Sequence, residues 1–359
     1  MSTRIYALPV EQTQWRVSGA DTTVFDWEFD EGRDRMLSLY EKGKRKQWNA
    51  VDRLDWSIEV DPLNPMGVAE ESIAIYGSRT WDALSPAEKG HVRHHLASWQ
   101  FSQFLHGEQG ALICAAKIVH IVPGLDAKFY AATQVMDEAR HVEVYSRYLS
   151  EKLQLAYPIN PGMKSLLNDI ISDSRWDMTY LGMQVLIEGL ALAAFGLIRE
   201  YATEPLAKAL NTYVMQDEAR HVAFGRLALR DYYPQLTSAE RAEREEFCIE
   251  ACHLMQARFV GEEAYRNLDI NADECIQFMR ASEHFRAFRS QLFSRIVPTL
   301  SDLGLFGDRM RHAFGQMGII GYEHHDIEAM INQDEQIAEE FDQARVRQVD
   351  EAISSGSDD

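Results

Sequence analysis

The chain has 359 residues, of which 46% are apolar and 26% charged, and a formal net charge of -20. That composition is ordinary for a globular protein and supplies enough apolar residues for a sizeable core. The acidic balance argues against nucleic acid as a main partner, because phosphate binding needs clustered Lys and Arg.

No membrane partner is expected either. The most apolar stretch, LIEGLALAAFGLI (186–198), falls short of the ~18 residues of a span and carries Glu188 in its middle. The N-terminal MSTRIYALPVEQTQW lacks the basic and apolar regions of a signal peptide. The four cysteines, Cys114, Cys248, Cys252 and Cys275, form no C-x-x-C pair. A cytoplasmic location is the expectation.

Residues 1–84 read as an irregular helical arm, with one helix over 30–48 and a proline-bearing loop, EVDPLNPMG (59–67). The arm's basic run EKGKRKQW (41–48) is expected to be a solvated helix face. From residue 85 to about 300 the pattern is one of long helices. Ser85, Pro86 and Glu88 combine an N-cap, a proline at the first helical position and a capping-box glutamate. That helix should run past Glu108 toward His120 and stop before VPG (122–124). A second is expected over 125–155, a third over 174–201, and a fourth from Pro205 to 232. Thr237 and Glu240 supply the capping box of the next helix. Further helices are expected over 301–350, and the polar tail EAISSGSDD (351–359) is expected to be disordered. Strand signals are weak throughout, so the fold class is all-α.

The string DEARH occurs twice, at 137–141 and 217–221. Glu138 and His141, like Glu218 and His221, are three apart and share a helix face. Thirty residues before each of those glutamates stands another, Glu108 and Glu188, each inside an apolar run. The repeated unit is therefore E-x29-E-x2-H. A carboxylate inside an apolar helix face is costly unless paired, protonated or bound to metal. Two divalent cations would neutralise the four glutamates, and oxygen plus imidazole donors without thiolates suit iron or manganese. A glutamate from each of two helices and Glu-x-x-His from each of two others is the ligand pattern of di-iron and di-manganese bundle proteins.

On these six residues the chain resembles the ferritin-like di-iron carboxylate oxygenases and oxidases, over roughly residues 90–235. The resemblance implies a four-helix bundle with additional N- and C-terminal helices. It implies two iron ions, or Mn/Fe, held by Glu108, Glu138, His141, Glu188, Glu218 and His221. It also implies an O2-activating enzyme that hydroxylates or N-oxygenates a small organic substrate through a bridged peroxo species. The bacterial multicomponent monooxygenases carry a similar D-E-x-R-H string. By that likeness Asp137 and Asp217 orient the histidines, and Arg140 and Arg220 hold the aspartates.

Other positions separate the branches of this family. The p-aminobenzoate N-oxygenases place a seventh ligand, a histidine, where this chain has Val214, which counts against that branch unless another histidine such as His120 reaches in. The threonine of the methane and toluene type hydroxylases is replaced by Leu192. Tyr145 stands where ribonucleotide reductase small subunits carry a radical tyrosine, so a radical or oxidase function is one alternative, and a ferroxidase another. Gln134 and Gln184 should face inward, either bonding a ligand or packing. Ala111, Leu112 and Leu192 are expected to line a pocket. His94, His95, His106, His324 and His325 are expected at the surface or at helix ends. With no flavin or nicotinamide fingerprint, a separate ferredoxin or reductase is the expected electron donor. A homodimer is compatible with this reading.

Overall fold

The computed structural model describes residues 34–355, which are helical apart from loops and one isolated bridge residue, Ala156. The elements that build the site are α1 (Asp34–Arg45), α2 (Pro86–Ile121), α3 (Leu125–Arg147), α4 (Trp176–Tyr201), α5 (Pro205–Tyr232), α6 (Ser238–Arg258) and α7 (Ile327–Ser355). The expected starts of α2 and α6 are present as complete capping boxes, Ser85 with Glu88 and Thr237 with Glu240. Asn160 and Glu204 cap the helices that follow them by accepting backbone N–H groups.

Two helices depart from the regular pattern. The end of α3 widens into a π-helical turn at Tyr148–Leu153 and closes on Gln154, which is left-handed at φ 53°. In the middle of α4, residues Leu181–Ile187 are π-helical, so the N–H of Glu188 bonds the carbonyl of Met183, five residues back. Wide turns of this kind recur at functional sites.

By length and composition α4 would suffice to cross a membrane, contrary to the expectation, which considered only its apolar C-terminal half. Here 83% of its apolar window is buried inside the protein, as suits a core helix. The tail expectation is also corrected in part: α7 continues through Ser355, because Glu351 and Ala352 are good helix formers. Residues 356–359, like the first part of the 30–48 helix, lie outside the described residues.

Helix α2 packs along α3 and α4 along α5, while α3 and α5 also touch each other, making the four-helix core. Each core helix passes from one apolar cluster to another. The first cluster contains Cys114, Tyr130, Tyr180 and Phe224, and the second contains Phe101, Tyr145, Phe195 and Val214. Between the clusters lies a single polar layer. The repeated glutamates and histidines sit in it, all of them buried.

The arm and the last helix close one side of the core. Helix α1 packs on α3 and α5, and α7 packs on α5. The basic run at 41–48 is not the free solvated face expected. Lys42 pairs with Glu335, and Lys46 pairs with Glu339 at 2.9 Å, both glutamates belonging to α7. Its last residues turn inward instead.

Candidate metal centre

Four helices each bring carboxylates or imidazoles to the polar layer: Glu108 from α2, Glu138 and His141 from α3, Glu188 from α4, and Glu218 and His221 from α5. All six are buried, with at most 5% exposure. Their donor atoms form two groups, Glu108, Glu138, His141 and Glu218 in one, and Glu138, Glu188 and His221 in the other, each within 4.8 Å. Glu138 belongs to both. Nδ1 of His141 lies 3.2 Å from Glu108 Oε2, 3.3 Å from Glu138 Oε2 and 3.2 Å from Glu218 Oε1. Nδ1 of His221 lies 3.1 Å from Glu138 Oε1 and 3.7 Å from Glu218 Oε1.

The donor set fits a pair of divalent cations. Glu138 Oε2, Glu188 Oε2, both oxygens of Glu218 and Nδ1 of His221 are buried without a hydrogen-bond partner. Orphaned polar atoms at this density are costly in a protein interior. Metal ions satisfy them together, and all the donors are oxygen or imidazole nitrogen.

The imidazoles are aimed from behind. Nε2 of His141 faces Asp217 Oδ2 at 3.1 Å, and Nε2 of His221 faces Asp137 Oδ2 at 3.3 Å. Each aspartate thus serves the histidine of the opposite helix. A carboxylate at Nε2 selects the tautomer whose Nδ1 lone pair points into the glutamate cluster. Arg140 donates to Asp137 at 2.6 Å and to Asp217 at 2.8 Å, and Arg220 pairs with Asp217. Both arginines therefore form buried ion pairs with these aspartates.

Two partners were not anticipated. Trp48 Nε1 donates to Asp217 Oδ2 at 2.8 Å, with the Arg140 guanidinium 4.8 Å from its ring centre. Gln47 donates to Asp137 Oδ1 at 2.7 Å and accepts from Arg140 at 2.8 Å. Both end the basic run of the arm, where no periodicity or motif connects them with residues some 90 and 170 positions later. The inward Gln134 donates to Glu138 Oε1 at 3.0 Å and to Glu188 Oε1 at 2.8 Å, and Gln184 faces Gln134.

Burial drives the carboxyls of Glu108 and Glu188 well above the usual carboxylate range, and the neighbouring charge of Glu218 adds to it. Burial alone would also raise Glu138, but His221 beside it and hydrogen bonds from both imidazoles hold it low. Burial disfavours charge on the imidazoles, yet Glu108 beside His141 and Glu138 beside His221 hold both well above the ordinary histidine value. Asp217, which burial would raise, is kept low by Arg220, His141 and Arg140. Without metal, then, the cluster lowers its charge by retaining protons that divalent cations would displace.

Several expectations change. Leu192 is buried in the second apolar cluster, and neither it nor Leu112 borders the nearby cavity, whereas Ala111 does. His106 is buried, bonded to Gln109 and to the carbonyl of Tyr157, and His95 bonds the Tyr157 hydroxyl at 2.6 Å. These side chains tie down the 153–157 loop instead of lying at the surface, but neither ligates. Tyr145 is buried and donates to Asn211 Oδ1 at 3.1 Å.

A cavity of about 610 Å3 reaches the centre between α2, α4 and the segment after α6. Glu108, Glu188 and Glu218 border it, whereas Glu138 and the two histidines do not. The centre therefore has an open glutamate face and a closed histidine face.

The family model described as P-aminobenzoate N-oxygenase AurF matches residues 30–304. The chain belongs to this family. Membership overturns the inference drawn from Val214, which is buried in the second apolar cluster. His120 is exposed near the end of α2 and does not take the missing place. Within the two donor groups of the described residues, His141 and His221 are the histidines of this family member. Its enzymatic class is that of the family, with a carboxylate and histidine di-metal site.

Among solved structures, the chain is similar to two variants of an R2-like ligand-binding oxidase. One has an aerobically reconstituted Mn/Fe cofactor, at 18% identity and TM-score 0.44 over 74% of this chain and 94% of that one. The other, anaerobically reconstituted, aligns at 18% identity and TM-score 0.45 over 77% and 95%. No curated protein matches the chain in sequence.

Proposed function

We propose that this protein is a di-iron N-oxygenase that transfers oxygen from O2 to the nitrogen of a small aromatic amine. One observation carries the reading: in a chain of the N-oxygenase family, three glutamates of a di-metal donor set form the floor of a largely apolar cavity. Oxygen and imidazole donors suit iron, or manganese beside iron. Bound iron supplies O2 activation and the redox change, which no protein side chain provides.

The residues of the chain do the rest. Glu108, Glu138, His141, Glu188, Glu218 and His221 hold the metals, and Asp137 and Asp217, gripped by Arg140 and Arg220, keep the imidazoles aimed. Gln134 fixes one oxygen each of Glu138 and Glu188. The apolar walls admit an aromatic ring and exclude water from the glutamate face. Converting an amine to a hydroxylamine uses one oxygen atom of O2 and reduces the other to water, which requires two electrons and two protons. A separate ferredoxin or reductase supplies the electrons in this reading. The four buried free cysteines fit a reducing, cytoplasmic setting.

The test is to load the protein anaerobically with Fe(II), add O2 and a panel of arylamines, and assay hydroxylamine, nitroso and nitro products by mass spectrometry. A product carrying 18O from labelled O2 is expected. Two bound irons with O2 consumption but no N-oxygenated product would move the protein to the oxidases. Loading below about one metal ion per chain would end the di-metal reading.

A further inference from the structure

One lip of the cavity is basic, on a chain whose net charge is -20. Tyr201 and Phe288, which are 54% and 36% exposed, border the cavity where it meets the surface. Phe288 belongs to the helix Glu283–Gln291, from which His284, Phe285, Ala287 and Gln291 also border the cavity. Ser282 ends the helix Ala272–Ala281 and caps the next one, accepting the backbone N–H of Phe285 at 3.2 Å. That junction gathers Arg280, Arg286 and Arg289. Arg286 donates at 3.1 Å to the carbonyl of Ala281, the residue after Arg280. The Arg289 guanidinium lies 5.3 Å from the ring centre of Phe285, and its Nε is buried without a hydrogen-bond partner. Burial lowers the Arg289 guanidinium, and the like charges of Arg286 and Arg280 lower it further.

Charges on an exposed helix are usually a solvated face of small consequence. This cluster differs in its balance. Between residues 277 and 294 the only acid is Glu283, 3.7 Å from Arg286. Among the described residues, Arg280 and Arg289 form no ion pair. In the basic run of the arm, by contrast, Lys42, Lys44 and Lys46 each pair with a glutamate. Outside the donor set, the one carboxylate bordering the cavity is Glu71, and its neighbour Glu70 is held by Lys89 and Arg93 at 3.3 and 2.8 Å. Three gathered arginines repel one another, and an acidic surface facing them relieves that repulsion. The rest of so acidic a chain repels an acidic protein, so the lip also fixes where such a protein lands.

We infer that this lip is the docking surface of the electron donor, an acidic one-electron carrier of the ferredoxin class that seats over the cavity mouth. Arg280, Arg286 and Arg289 face its carboxylates, and the exposed Phe288 and Tyr201 supply apolar contact. The donor then covers a cavity whose floor is Glu108, Glu188 and Glu218. Each encounter oxidises one donor by one electron and reduces the metal pair by the same electron, so two encounters supply a turnover. Redox encounters need only a small interface, below about 1,200 Å2. The need for a donor rests on the N-oxygenase reading, whereas the surface is measured by binding.

The test is calorimetry of the iron-loaded full chain with an oxidised plant-type [2Fe–2S] ferredoxin, followed by anaerobic stopped-flow oxidation of the reduced ferredoxin. Affinity should fall about 10- to 100-fold between roughly 0.05 and 0.5 M salt. With Arg280→Glu, Arg286→Glu and Arg289→Glu combined, low-salt affinity and oxidation rate should fall by a similar factor, and the salt dependence should vanish. Oxidation of reduced methyl viologen, a small cation, should not slow. Arg280→Gln, at an exposed position, should weaken binding about 2- to 5-fold. If the triple variant does not fold, Arg280→Gln and the salt dependence of the native protein decide. No binding, salt-independent binding, undiminished affinity in Arg280→Gln, or an equal slowing with methyl viologen overturns the docking surface. An acidic acyl carrier protein that binds with the same arginine dependence, while ferredoxin is not oxidised, overturns the donor assignment and gives the mouth to a carried substrate. Product assays judge the N-oxygenase reading separately. Ferredoxin oxidised at this surface with no N-oxygenated product sinks that reading and leaves the surface standing.

Discussion

Nε2 of His141 lies 3.1 Å from Oδ2 of Asp217, although 76 residues separate the two along the chain. That carboxylate also receives Trp48 and both arginines of the repeat, so its charge is spread over four donors. Asp217→Asn removes the charge while keeping the shape. We expect metal affinity to fall roughly 10- to 100-fold, measured by competition with a chelator. Stability should fall by about 3 kcal/mol, near the low end for a broken buried pair because Asp137 still faces both guanidiniums. Unchanged metal affinity would mean that Asp217 does not orient His141.

The shared glutamate separates two classes of ligand variant. Glu138 belongs to both donor groups, whereas Glu188 belongs to one. Glu138→Ala should leave less than about one tightly held metal per chain, and Glu188→Ala should retain one. Metal analysis after gel filtration reads both, and equal loss in the two variants would contradict the grouping.

The protonation of the metal-free cluster gives a pH dependence with a definite sign. His141 and His221 are held above their unfolded value of about 6.5, and Glu108 and Glu188 above theirs of about 4.3. A group raised on folding stabilises the protein below its unfolded pKa and loses that contribution as pH rises through its folded pKa. The metal-free protein should therefore melt at progressively lower temperature as pH rises above neutrality. Glu138 and Asp217, held low, act in the opposite window and weaken the fold only in strong acid. The metal-loaded protein should resist the alkaline loss, so the gap between the two melting curves should widen with pH. In Glu188→Gln the alkaline slope of the metal-free protein should be shallower. A gap that narrows with pH would refute the assignment.

Tyr145→Phe deletes one buried hydrogen bond, to Asn211, worth about 1 kcal/mol. Under the N-oxygenase reading, single-turnover yield should persist at full metal loading. Loss of turnover with both metals bound would transfer a redox role to this phenol.

Much of the site was legible because its chemistry is written at helical spacing. Glu138 and His141 announce a shared face, and Glu108 and Glu188 stand out as charges in apolar runs. The capping boxes at Ser85 and Thr237 placed helix starts to the residue. Three things were not legible. The π turns of α3 and α4 leave no local composition signal, since tertiary packing and not propensity widens them. Trp48 and Gln47 sit beyond a lysine-rich run whose charges read as solvated, and only the fold brings them under Asp217 and Asp137. Arg258 ends an ordinary amphipathic helix, and its place in the cavity wall beside Met163 is invisible in the string. Val214 misled for a different reason: one absent donor was weighed against a ligand set otherwise complete.

The crossed pairing of aspartates and histidines has a consequence for the repeat itself. Each DEARH segment donates to metal on its own account and steers the imidazole of its twin, so neither copy is self-sufficient. Cutting the chain in the 154–160 loop would yield two pieces, each with a histidine whose guide has left with the other piece. Both imidazoles are therefore aimed only when the two segments are packed together in one fold.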